Sequence, residues 1–378
     1  MFRHATKIFA GCLLIVAGTV TLVPAQPPSV PRMTERILDK ASYVELAKQW
    51  KEYISKNGES PEALINMGIA HEYSGQKEAA MAAARRAVEI GPDHAEALAY
   101  LGKLLAKFNQ DLDTATEYLE QSIALAPDQQ YALTELATIH LKRGELAKSR
   151  KVFKTVFEQR IFSRPLQDYA YNMLIGLPTG AILVTNGDWD TFPPLALQSG
   201  MGFRTDVAVV NRSLLQLSDY ARAVFDTYPA IKPKGKLEMV DGPALPATLL
   251  KKMVADDDIA VHFAATVAIG ALGFEPDLVL DGVGWRSYKK GRSPEASAVL
   301  FLGTYRLDSA TDWSFAWDLV PNVSRMMKNY VACAIQLAQD AGVSNATKER
   351  LLDQASEIAT FHDMEQMLAL IESCRQGE

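Results

Sequence analysis

Three cysteines in 378 residues are too few for a disulfide-stapled scaffold, and none of their spacings suits a zinc site. Cys12 falls in an N-terminal leader. Cys333 and Cys374 remain, and they read either as two separately buried thiols or as a pair across two C-terminal helices. Long apolar runs are equally scarce: past residues 8–23 no stretch is long enough to span a bilayer. Basic clusters are missing too. Lys and Arg number 39 against 45 Asp and Glu, for a formal charge of −6. The densest basic run, Lys232, Lys234 and Lys236, is spaced by Pro and Gly and reads as a solvated loop. These features argue against a nucleic-acid partner. There is no G-x-S-x-G, no Walker glycine loop, no G-x-G-x-x-G after a strand and no H-E-x-x-H, so those hydrolase, nucleotide-binding and protease classes have no support.

What is present begins with a leader. Arg3, His4 and Lys7 precede the apolar run, and Val-Pro-Ala at 23–25 is followed by Gln26 and a Pro-rich patch. This predicts a signal peptide over residues 1–25, removed near Ala25, and export to the periplasm or cell envelope. An uncleaved N-terminal segment is the alternative, and the only expected membrane attachment. Phe9-Ala10-Gly11-Cys12 resembles a lipoprotein box, but the apolar run follows the cysteine instead of preceding it. Residues 26–40 read as a linker. A content of 48% hydrophobic and 22% charged residues is ordinary for globular protein, and the length suggests two domains.

Aligned with itself at a period of about 34 residues, the chain yields units opening at Pro61, Ala95 and Gln130, the signature of tetratricopeptide repeats. The repeats are expected over 61–94, 95–129 and 130–163, with a capping helix over 43–57 and the whole array over 41–163. Met67-Gly68, Gly75, Ala80, Ala87 and Pro92 occupy the repeat's large–small pair, turn, packing and closing positions. The second unit fits once a residue is inserted near 109–113, at its inter-helix turn. The third lacks the closing proline. Stacked hairpins leave a groove for a protein partner. His71, Tyr73, Tyr100, Phe108, Tyr131 and His140 are its candidate residues, with core packing as the alternative for each, above all for the two histidines.

From Arg164 the periodicity changes. Residues 166–175 read as helix, 181–185 as strand, 192–200 as a short helix and 206–211 as strand. Helices follow at 214–228 and 248–255, with a third strand at 259–265. Residues 277–280 and 298–302 suggest further strands. Helical spacing returns at 323–341, 345–359 and 363–373 as a C-terminal helical hairpin. The expected fold is thus an α-helical repeat solenoid, a small α/β domain over 164–320 with a mostly parallel sheet, and C-terminal helices over 321–378.

The segment Thr185-Asn186-Gly187-Asp188-Trp189-Asp190-Thr191-Phe192-Pro193, followed by Gln198, Arg204-Thr205-Asp206-Val207, Val210-Asn211 and Ser213-Leu214-Leu215, resembles the soluble C-terminal portion of a bacterial family of polytopic membrane proteins classed as glycosyltransferases. The likeness covers about residues 164–345. The relatives carry a transmembrane region where this chain carries repeats. The resemblance therefore implies a binding, docking or regulatory module, accessory to envelope glycan or glycoprotein biogenesis, with Asn186, Asp188, Asp190, Thr191, Gln198, Arg204 and Asp206 as ligand-binding candidates.

Two readings of the carboxylates stand side by side. In an extended segment Asp188 and Asp190 project together from the end of a strand and share Mg²⁺ or Mn²⁺, as in a soluble nucleotide-sugar enzyme. Alternatively, Asp190 or Thr191 caps a helix begun by Phe192-Pro193, Asn186-Gly187 is a plain turn, and no cofactor is required. Arg204 and Asp206 read as a structural ion pair, and His262, inside an apolar strand, as core. A non-catalytic, partner-binding protein is the leading expectation.

Overall fold

The computed structural model describes residues 27–29, 38–109, 111–274, 277–287, 291–315 and 321–376. The expected leader and most of the linker lie outside these residues. Among the described residues no helix is long and apolar enough to cross a membrane.

The N-terminal half is a stack of helical hairpins. Helix α1 (Lys40–Asn57) precedes the pairs α2 (Pro61–Tyr73) and α3 (Lys77–Ile90), α4 (Ala95–Leu104) and α5 (Leu112–Leu125), and α6 (Gln130–Lys142) and α7 (Leu146–Glu158). Ser60 Oγ accepts the Ala63 amide and Pro61 sits at the first helical position, a pairing that fixes where α2 starts. The glycines of the large–small pairs are contact points. A Cβ on Gly68 would stand 2.7 Å from the Tyr100 ring, and one on Gly102 would stand 2.9 Å from Leu119. The residue inserted in the second unit is absorbed just ahead of the expected place: Leu105–Asn109 forms a π-helical turn, whose longer ring holds one residue more per turn.

The second half opens with α8 (Arg164–Ile175). It continues through β1 (Ile182–Thr185), α9 (Asp188–Met201), β2 (Ala208–Asn211), α10 (Ser218–Thr227), α11 (Leu245–Val254), β3 (Val261–Ala264), β4 (Val279–Leu280) and β5 (Gly284–Arg286). Helices α12 (Pro294–Gly303), α13 (Pro321–Gln339), α14 (Asn345–Phe361) and α15 (Glu365–Gln376) complete it. The strand order is β2-β1-β3-β5-β4. β1 pairs parallel with β2 and β3, whereas β5 pairs antiparallel with both β3 and β4. The sheet is therefore mixed, and the expectation of a mostly parallel one is corrected. The tight return from β4 at Gly282 (φ 68) is too short for a crossover helix, so β5 must run antiparallel.

Two further expectations change. Residues 298–302 are not a strand: they lie in α12, capped by Ser293 Oγ accepting the Ala296 amide, because a short apolar run cannot by itself distinguish strand from buried helix. The helix expected at 192 begins four residues earlier, at Asp188. Prolines favour the first helical turn, which made Phe192-Pro193 look like a start, yet Pro193 and Pro194 lie one turn inside.

Packing joins the halves. Tyr43, Trp50, the first two repeats and one face of α6 (Ala132, Leu136 and Ile139) form one apolar core. Leu133, Ala137, Leu141, Phe153 and Val156 of the third repeat instead belong to the core that runs through the sheet to Ile371. At this seam Phe153 meets Phe192 at 5.5 Å, and Phe157 of α7 rests against Gly200 of α9.

Candidate functional site

The first helix of each repeat contributes one tyrosine to a common pocket. Tyr73 on α2, Tyr100 on α4 and Tyr131 on α6 line it with Ile65, Ile69, Glu96 and Lys103. The Lys103 ammonium lies 5.9, 5.9 and 5.8 Å from the three ring centroids and 3.2 Å from the Glu72 carboxylate, which Lys107 also approaches at 2.8 Å. Both Glu72 and Lys103 are buried. The cation position among the rings is thus filled from within, so the pocket suits an apolar or carbonyl-bearing group and disfavours a second cation. Tyr100 is only 5% exposed, and among the described residues the Tyr73 hydroxyl is buried without a hydrogen-bond partner.

Tyr131 also borders a second cleft, lined by Gln130, Thr134, Glu135, Phe162, Asp188, Trp189 and Phe192. Its far wall is the first turn of α9, so the C-terminal half closes one end of the repeat groove. Desolvation first, and then the Asp188 charge against the opposing pull of Lys103, leaves the Glu135 carboxyl above its ordinary range. Asp188 is solvent-exposed on one side, yet its carboxyl too is held up by desolvation and by Asp190, with Lys142 acting the other way. This end of the groove suits a cation or a hydrogen-bond donor.

The structure separates the sequence candidates sharply. His71 and His140 line neither cleft: their Nδ1 atoms meet Gln76 at 3.1 Å and Glu145 at 2.7 Å, closing equivalent turns of the first and third repeats. Phe108 lies within the π turn, under Lys77 and Lys107, whose ammonium groups are 5.5 and 5.3 Å from its ring.

In the nonapeptide, Asp188 and Asp190 are not on extended chain. They sit at the first and third positions of α9, where residues two apart point to opposite sides. Asp190 is 2% exposed; its carboxylate accepts the Asn186 and Gly187 amides at 2.8 Å each and the Thr266 hydroxyl. Gly187, not Asp190 or Thr191, is the N-cap. Thr191 Oγ1 lies 2.6 Å from Thr185 Oγ1 and accepts Asn211 Nδ2 at 3.1 Å. Gln198 donates to the carbonyls of Arg204 and Val207, both at 2.8 Å. Arg204 grips Asp206 with two bonds of 2.9 and 2.8 Å while also donating to the Leu174 and Pro178 carbonyls. These groups hold the fold, and of the candidate carboxylates in the nonapeptide only Asp188 faces the groove. Among the described residues no three His, Cys, Asp or Glu side chains gather to hold a metal ion. Cys333 and Cys374 are free thiols, the former buried and pushed up to about 12.

Glu135, Lys103 and Trp189 are groove residues that sequence reasoning missed. Glu135 follows Tyr131 by one helical turn, and Trp189 stands inside the nonapeptide, so spacing carried a signal for both.

Fold and groove together place the N-terminal half among the helical repeat arrays that bind protein partners or serve as scaffolds. Comparison supports this: residues 61–104 and 104–160 match family models described as tetratricopeptide repeat. Residues 166–227 match a model described as TMEM260-associated domain 2, which overlaps the nonapeptide and loosely fits a domain related to membrane proteins. No curated protein matches the chain. Among solved structures, MamA is similar at 17% identity over 51% of this chain and 96% of its own, with a TM-score of 0.31. A tetratricopeptide repeat protein from Parabacteroides merdae matches at 10% identity over 84% and 93%, with a TM-score of 0.33. The Thermobaculum terrenum O-GlcNAc transferase matches at 11% over 90% and 96%, with a TM-score of 0.29. Likeness at this level carries no argument about function.

Proposed function

We propose that this protein is an exported scaffold that holds an extended segment of a partner protein along the groove from Tyr73 through Tyr131 to Asp188. The observation that carries the reading is that Tyr131 lines both clefts, the first built from the repeats alone and the second from the third repeat together with the start of α9. The groove is electrically asymmetric. Lys103 stands among the tyrosines at one end, and Glu135 and Asp188 flank the other. A bound segment therefore places an apolar or carbonyl-bearing group against Tyr100 and a basic or amide-bearing group against Asp188. The leader supports export to the periplasm or envelope, and the resemblance of residues 164–345 supports a place beside glycan or glycoprotein biogenesis.

A photo-crosslinking residue at position 131, in cells of the native host, tests the groove. A discrete adduct should form and fall roughly tenfold in Tyr100→Ala, the loss that removing a central aromatic anchor produces. An adduct indifferent to Tyr100→Ala overturns the groove as the binding surface. Export is read separately from the mature N-terminus: a chain starting at Gln26 in the envelope fraction agrees with it, and an intact Met1 confined to the cytoplasm refutes it.

A further inference from the structure

The cleft at the end of the groove is walled by α6 on one side and by the first turn of α9 on the other, with Phe162 of the α7–α8 connection completing it. Both main walls are fixed. Gln129 Oε1 accepts the Tyr131 and Ala132 amides at 2.8 and 3.4 Å, which sets the start of α6, and the Asp190 carboxylate holds the start of α9 through the Asn186 and Gly187 amides. Tyr131 and Glu135 stand one helical turn apart on a shared face. Asp188 and Trp189 open α9 from the opposite side.

The charges in this cleft do not balance. Two carboxyl groups line it and no cationic side chain does. Lys103 is committed to Glu72 at 3.2 Å and to the three tyrosine rings. Lys142 acts on both carboxyls only through space, and among the described residues neither Glu135 nor Asp188 has a hydrogen bond or an ion pair. The Thr134 hydroxyl donates back to the Gln130 carbonyl at 2.9 Å. Burial raises both carboxyls above their ordinary range, the cost of two desolvated acids without a counter-charge.

The remaining walls are aromatic: Phe162 and Phe192 are buried, and Trp189 is part-buried. A divalent metal would need several more oxygen ligands than two carboxylates supply, and rings offer none. An organic cation suits both kinds of wall. The cavity of about 60 Å³ has space for roughly four or five water-sized groups, which matches the heavy atoms of a guanidinium. A guanidinium is also flat enough to lie on an indole, donates several N–H groups to carboxylates, and gives up its hydration more easily than an ammonium.

We infer that the cleft between α6 and α9 holds the guanidinium of an arginine in the bound segment, with Glu135 and Asp188 receiving its N–H groups and Trp189 against its planar face. This rests on the partner-holding reading of the groove and adds the residue that the partner must present there.

The test is a titration of the ¹⁵N-labelled full mature chain at pH 7 with Nα-acetylarginine methylamide and with its citrulline and lysine counterparts. Citrulline keeps the shape without the charge, and lysine the charge without the plane. The Trp189 indole N–H signal, assigned by its absence from Trp189→Phe, reports the site. The arginine probe should shift it saturably and bind about tenfold more tightly than citrulline, with lysine weaker than arginine. Glu135→Gln with Asp188→Asn should weaken arginine binding by about tenfold. Tyr100 lines only the other cleft, so Tyr100→Ala should leave arginine binding unchanged. No saturable shift, a counterpart that binds as tightly as arginine, or an unchanged affinity in the double variant overturns the arginine assignment and leaves a Tyr100-dependent crosslink at position 131 standing. A crosslink indifferent to Tyr100→Ala, beside an arginine probe that still binds, removes the groove reading and leaves the arginine site in place.

Discussion

Asp190 and Thr266, 76 residues apart in sequence, meet at the carboxyl ends of β1 and β3, where the Thr266 hydroxyl donates to the Asp190 carboxylate. Together with the Asn186 and Gly187 amides, this makes Asp190 a clamp that ties the start of α9 to the loop after β3.

Asp190 and its neighbour Asp188 should therefore respond oppositely to substitution. Asp190→Ala leaves two part-buried amides and the Thr266 hydroxyl without their acceptor and should cost about 2–4 kcal/mol. Asp188→Asn, at a solvent-exposed position, should stay within about 0.5 kcal/mol. Guanidinium midpoints at a common slope measure both; equal losses would contradict the division of the nonapeptide into a structural carboxylate and a groove carboxylate.

Gly102 presents a contest of known terms. Alanine is favoured over glycine inside a helix by about 1 kcal/mol. A Cβ there would stand 2.9 Å from Leu119 Cγ and 3.1 Å from the Ala115 carbonyl, and the backbone atom cannot rotate away. Overpacking of this kind costs about 1–3 kcal/mol. Gly102→Ala should thus be destabilising on balance, read from the denaturant midpoint, and a stabilised variant would show that α4 and α5 can separate freely.

His262 sets a pH window. It lies 2% exposed on β3, with Asp281 Oδ2 at 3.8 Å. Burial, aided by the charges of Arg292 and Arg286, lowers its pKa to about 3. The unfolded chain binds this proton near pH 6.5 and the folded chain does not, so the contribution is complete above pH 6.5 and is lost as pH falls towards 3. Lowering pH from 7.5 to 5.5 should remove about 1.4 kcal/mol through this residue. Unfolding free energies of the native chain and of His262→Gln at both pH values isolate it: the native chain should lose more, and parallel losses would contradict the assignment.

Much of the array was legible because its rules are local. Gly68, Ala80, Ala87 and Pro92 declare close helix approach and a turn by residue type alone, and even the extra residue near 109 announced a local irregularity. The start of α9 was obscured because Asp-Trp-Asp before Pro-Pro resembles a turn, although two acidic residues in a first turn are also what a helix dipole favours. Residues 298–302 read as a strand because an apolar run is ambiguous without its neighbours. The pairing of Glu135 with Asp188 belongs to a seam between distant segments, which periodicity cannot report.

That seam also bears on how the solenoid ends. Repeat arrays need a terminus that covers the last apolar face, and here a whole α/β domain does so, through Phe153 against Phe192. Any lengthening or shortening of the array is tolerated only ahead of the third repeat, because α6 and α7 have exchanged the company of a next repeat for that of the sheet. Severed after residue 163, the chain would retain two repeats able to hold their shape and a third, exposed pair of helices prone to self-association.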